Sequence, residues 1–110
     1  TLIRGLLDNE GFKWKFIERF VYHCTVTFDP FKVQTRIDEL AANIEPYLER
    51  TIVRWPGAGG SSMEIWNNDH LKLLRKFAVD RPAINLHYMQ QYFGLTDAEM
   101  TQLLKEADYE

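Results

Sequence analysis

Four places in this 110-residue chain carry residue types that could do chemistry. The first is Gly57-Ala58-Gly59-Gly60-Ser61-Ser62. Glycines leading into a helix N-terminus can turn backbone N–H groups toward an anion such as phosphate. This stretch has no lysine before Ser61-Ser62, so it is not a P-loop, and it follows a helical pattern rather than a strand. It reads as a flexible connector. The second place is His23-Cys24. Neighbouring helical residues point about 100° apart, so base and nucleophile cannot face one another. Cys24 falls on an apolar stripe and reads as a small core residue.

The third is Glu64, Asp69 and His70. Metal ligands on a helix recur every three or four residues, whereas Glu64 and Asp69 are five apart and His87 is remote in sequence. A solvated face is the simpler reading, and His87, beside Tyr88 and Tyr92, reads as a partly buried histidine with a backbone partner. The fourth is the cations Lys13, Lys15, Arg19, Lys72, Arg75 and Lys76, diluted by acidic neighbours. The segments flanking Gly94-Leu95-Thr96 have a helix-turn-helix outline. The second of them carries Asp97, Glu99, Glu106 and Asp108 against Lys105, and phosphate would repel it.

The elements that position these residues follow from apolar spacing. Leu2 to Leu7 forms a short helix, and Asp8-Asn9 caps the next, whose stripe is Phe12, Phe16, Ile17, Phe20, Val21 and Cys24. That helix ends near Thr25, with Val26-Thr27-Phe28 as connector. Asp29-Pro30 opens the central helix, striped by Val33, Ile37, Leu40, Ile44, Leu48, Ile52 and Trp55. Pro46 interrupts it, and the expectation is a kink or a break with a restart near Glu45-Pro46, the in-phase stripe favouring the kink. After the glycine loop, Ser61 and Glu64 have the spacing of a capping box. The helix they open runs to about Val79, with Ile65, Trp66, Leu71, Leu74 and Phe77 inward. Pro82 starts a new helix bearing Leu86, Met89, Gln90 and Phe93. Gly94 ends it, and Thr96 with Glu99 caps a last helix whose inward face is Met100, Leu103, Leu104 and Ala107. The fold class is all-α, a compact bundle of five to six helices.

A composition of 45% apolar and 14% aromatic residues can fill a core, and argues against disorder. The net charge of −3, with both signs interspersed, implies no pull toward nucleic acid or anionic lipid. Cys24 is the single cysteine and has no internal disulfide partner. No apolar run reaches the ~20 residues of a membrane span. The chain opens at Thr1, already inside an apolar pattern, so it is expected to be a piece of a larger protein.

Leu6-Leu7-Asp8-Asn9-Glu10-Gly11-Phe12, Phe16-Ile17-Glu18-Arg19-Phe20, Ile37-Asp38-Glu39-Leu40, Ile44-Glu45-Pro46, Arg54-Trp55, Trp66, Leu74-Arg75-Lys76-Phe77, Arg81-Pro82-Ala83 and Tyr92-Phe93-Gly94-Leu95 follow one another in order. This ordered set resembles the C-terminal part of the spore-coat CotH kinase family, over residues 2–95. Gly11 departs from the helix-favouring residue usual there. The resemblance says nothing of residues 96–110, so the organisation expected is a CotH-like helical region over 1–95 and an additional helix and tail over 96–110.

The resemblance implies a parent protein with an atypical kinase fold that transfers phosphate from ATP to serine on secreted or surface proteins, itself extracellular or at the cell surface. Its nucleotide- and metal-binding residues would lie upstream, so ATP and a divalent metal are expected only in the parent. No catalytic, cofactor or metal residue is assigned to this chain. The expected partners are the upstream kinase core and a protein substrate, with no nucleic acid and no membrane span. A stand-alone helical protein-protein interaction module is the alternative. Trp14, Tyr22, Tyr47 and Trp66 are the candidate interface residues, because exposed aromatics mark contact surfaces.

Overall fold

The computed structural model describes residues 1–56 and 62–108. They form five continuous helical runs and no strand. The runs are α1 (Leu2–Leu7); α2 (Glu10–Tyr22), extended by a π-helical turn over His23–Thr27; α3 (Pro30–Arg54); α4 (Met63–Ile65), joined by a π-helical turn over Trp66–Leu71 to α5 (Lys72–Phe93); and α6 (Asp97–Ala107).

Helix ends follow the local chemistry of the sequence. The Asn9 side chain accepts from the Phe12 N–H at 3.0 Å, satisfying one of the free donors of α2. Thr96 Oγ1 accepts from the Glu99 N–H while Glu99 Oε1 accepts from the Thr96 N–H, each at 3.1 Å, a complete capping box. Gly94 has φ +64°, the left-handed conformation that a side chain disfavours. Around it Leu95 N–H donates to the Gln90 carbonyl and Gly94 N–H to the Gln91 carbonyl, which closes α5 in a Schellman turn. The Gln90 side chain reinforces this turn, donating to Leu95 O at 3.2 Å and to Asp97 Oδ1 at 2.9 Å.

Several expectations are corrected. Pro82 does not restart a helix; α5 passes through it, as α3 passes through Pro46. A break would leave up to four N–H and four carbonyl groups unpaired, whereas continuity removes one N–H donor. The cap of α4 is Ser62, whose Oγ accepts from Ile65 N–H at 3.1 Å, one residue later than the box expected from Ser61. Ser61 and the glycine loop 57–60 lie outside the described residues. Phe77 is exposed and Leu74 is half-exposed at the edge of a cavity against α3, because the buried positions are Leu71 of the π-helical turn and Ala78 of α5. His87 is exposed, its ring 6.2 Å from that of Tyr88.

Neither π-helical turn was legible in the periodicity. In the first, Thr25 Oγ1 donates to the Val21 carbonyl at 2.8 Å, with a longer contact to Tyr22 O. Phe28 N–H reaches back five residues to His23 O. Side-chain competition for ladder carbonyls and three successive β-branched residues widen this turn.

The chain divides into two units, one of Thr1–Asp29 with the segment from Pro82 onward, the other of Pro30–Arg81. The first unit holds a core of Ile17, Val21, Met89, Leu95, Met100, Leu103 and Ala107, with Trp14, Phe20, Leu86, Phe93 and Leu104 packed against it. The inward face expected for α6 is therefore the observed one. In the second unit Ala41, Leu71 and Ala78 are buried. There Arg75 bonds Asp38 Oδ1 through Nε at 3.2 Å and Nη2 at 2.6 Å, tying α5 to α3.

Candidate functional site

The residues that could do chemistry are kept apart by their own elements. Cys24 is buried, and burial pushes its thiol above the usual cysteine range, the opposite of what a nucleophile needs. His23 turns aside, with Nδ1 2.8 Å from Thr27 Oγ1 and its ring 5.5 Å from Tyr22. Asp69 and His70 are exposed on the second π-helical turn, where the His70 ring lies 6.3 Å from Trp66. Among the described residues no group of three or more His, Cys, Asp or Glu side chains converges on a point where a metal ion could sit. The cations are partly spoken for: Lys13 pairs with Glu10, Arg75 with Asp38, and Lys76 with Asp80. The Asp80 contact raises the Lys76 ammonium above the ordinary lysine range. Among the described residues no helix is long and apolar enough to cross a membrane.

What the described residues do present is apolar surface. In the second unit Ile37, Leu40 and Ile44 of α3 face Trp66, Leu71 and Leu74 across a cavity of about 140 Å³. The Trp66 indole N–H is buried with no acceptor among the described residues. Alongside it α5 exposes Leu73 at 66% and Phe77 at 60%, four residues apart on one face, with Arg81 stacked 5.9 Å from the Phe77 ring. In the first unit Phe16 lies 6.1 Å from both Phe20 and Phe93, and Tyr92 stands edge-on to Phe93 at 4.9 Å. Together with the exposed Ile3 and Tyr88 these rings wall an open aromatic cavity of about 400 Å³.

The four aromatic residues singled out from sequence fare differently. Tyr47 is 68% exposed on α3. Trp14 is half-buried against the core of its unit, Tyr22 is half-buried with the Arg19 guanidinium 5.2 Å from its ring, and Trp66 is half-buried in the α3–α5 cavity. The residues missed were Leu73, Phe77, Tyr88 and Tyr92, all on α5. A signal existed: apolar residues run all the way round that helix rather than along one stripe.

A family described as CotH kinase protein matches residues 1–84. The chain belongs to the CotH kinase family. No curated protein and no solved structure matches it. In this CotH family member the match covers α1 to α4 and the first half of α5, so Tyr92-Phe93-Gly94-Leu95 and all of α6 lie beyond it. The CotH resemblance implies ATP and a divalent cation in the parent protein. The described carboxylates and histidines do not fit a cation, and no step of phosphate transfer is assigned to them.

Proposed function

We propose that this chain is the helical, non-catalytic portion of a CotH-type atypical protein kinase and that it buttresses the ATP-binding core. The reaction of the whole protein would be transfer of phosphate from ATP to serine on secreted or surface proteins. The observation that carries this reading is α5, whose apolar residues are spread among polar ones around the helix and which leaves Leu73, Phe77 and Val79 exposed. Large apolar side chains left exposed together on one helix mark a contact surface. Covering one such Leu or Phe contributes about 1.5–3 kcal/mol before the cost of docking, so a neighbouring kinase core has a strong reason to sit there. Membership of the CotH family supports the identity of that neighbour.

The test is Leu73→Glu with Phe77→Glu, made in a protein that also carries the kinase core. Helicity should persist, because neither side chain is buried in this chain, while phosphate transfer and thermal stability of the whole protein fall together. Unchanged transfer, or nucleotide binding and turnover by the isolated 110 residues, would overturn the proposal. Had an outside protein covered this face instead, the double variant would leave transfer intact and lose only that partner.

A further inference from the structure

The seam between α2 and α6 carries a second surface, chemically unlike the α5 face. Trp14 and Glu18 stand one turn apart on α2, and Ala98, Gln102 and Glu106 recur every four residues on α6. They line an open groove of about 390 Å³ with the buried Leu103 at its base and Glu99 at its rim. A smaller hollow of about 210 Å³ shares Glu18, Leu103 and Glu106. The floor is apolar, and among the described residues the charged wall side chains are all carboxylates, with no lysine or arginine lining either hollow.

None of the three carboxylates is neutralised by an ion pair among the described residues. Glu18 makes no side-chain hydrogen bond there, Glu106 accepts only from the Gln102 amide at 2.9 Å, and Glu99 is spent on the Thr96 cap. Elsewhere acids have found cations: Glu10 with Lys13, Asp38 with Arg75, Glu39 with Arg36 and Asp80 with Lys76. The Lys13 ammonium lies 5.7 Å from the Trp14 ring and is paired with Glu10.

We propose that this groove docks a basic segment of another polypeptide, a lysine or arginine whose aliphatic stem lies on Leu103 and Trp14 while its head reaches Glu18 and Glu106. A cation on a long apolar stem satisfies both halves of the surface at once. A purely apolar ligand would desolvate carboxylates without compensation, and an acidic or nucleic-acid ligand would be repelled. A metal ion does not fit, because the carboxylates do not converge. The occupant is a separate protein rather than the kinase core: α6, one whole wall, lies outside the family-matched residues 1–84. The inference stands independently of the buttressing role.

The test is an NMR titration of the full 110-residue chain with a blocked nine-residue peptide of alternating leucine and arginine, run beside its leucine–glutamate counterpart. The arginine peptide should shift the Trp14 indole and Gln102 amide resonances, and the glutamate peptide should not. Glu18→Gln with Glu106→Gln should weaken binding about tenfold, as should raising the salt from 50 to 500 mM. Gln102→Lys, on an exposed turn of α6, should weaken it as well. Equal binding of both peptides, shifts centred on the α5 face, or undiminished affinity in the double variant with circular dichroism unchanged would overturn the proposal, as would no binding at millimolar peptide.

Discussion

Ile17 is the sharpest place to test the packing that holds α2 and α6 together. It is wholly buried, at the centre of a core that otherwise contains Val21, Met89, Leu95, Met100, Leu103 and Ala107. Ile17→Ala removes three carbon atoms. At about 0.8 kcal/mol for each buried carbon, the transfer loss alone is about 2.4 kcal/mol. A core that cannot collapse onto the gap adds a cavity cost of up to about 2 kcal/mol, so the full effect should be about 2.5–4.5 kcal/mol. Ile17→Val removes one carbon and should cost about 0.5–1.5 kcal/mol. The neighbouring Glu18→Ala, on the exposed side of the same helix, should stay within about 0.5 kcal/mol. The assay is urea denaturation followed by far-ultraviolet circular dichroism, comparing midpoints at constant slope. An Ile17→Ala loss below about 1 kcal/mol, or one no larger than that of Glu18→Ala, would refute the assignment of Ile17 to a closed α2–α6 core and remove the base of the groove with it.

Three further positions give checkable outcomes. Gly94→Ala meets no atom within 4 Å, so its cost is conformational alone: about 1–2 kcal/mol of left-handed strain, partly offset by about 0.4–1 kcal/mol of reduced unfolded-state entropy, read as a lower urea midpoint. Trp66→Phe gives up indole area but also removes a buried N–H that has no acceptor among the described residues, so stability should change by less than about 1 kcal/mol; a larger loss in thermal unfolding would mean that the N–H has found a partner. The Cys24 thiol is raised by burial, so its neutral form is the one favoured by folding. Stability is then unaffected by this group below the unfolded thiol's pKa and declines as the pH rises past it, a slope that Cys24→Ala should abolish in pH-dependent melts. Iodoacetamide should modify Cys24 about tenfold more slowly in the native chain than in urea, as its access and thiolate fraction are both reduced.

The amino-acid sequence by itself determined the all-α class, most helix ends and the family. These are local matters. Asn9, Thr96 with Glu99, and Gly94 act on backbone groups within five residues of themselves, and the stripes Ile17–Val21 and Met100–Leu103–Ala107 need only helical periodicity to be recognised. Only the tertiary structure decided which apolar residues are covered. Phe77 and Ala78 are adjacent, and α5 offers apolar side chains in every direction, so nothing local says that Ala78 turns inward while Phe77 is left to solvent. The passage of α5 through Pro82 was also beyond local rules, because a lost hydrogen bond must be weighed against the unpaired groups that a break would create, whereas at Pro46 the in-phase stripe already pointed to continuity. The same holds for the acidic groove. Glu18 and Glu106 are far apart in the chain, and their shared, unneutralised position exists only because Ile17 and Leu103 pack α2 against α6.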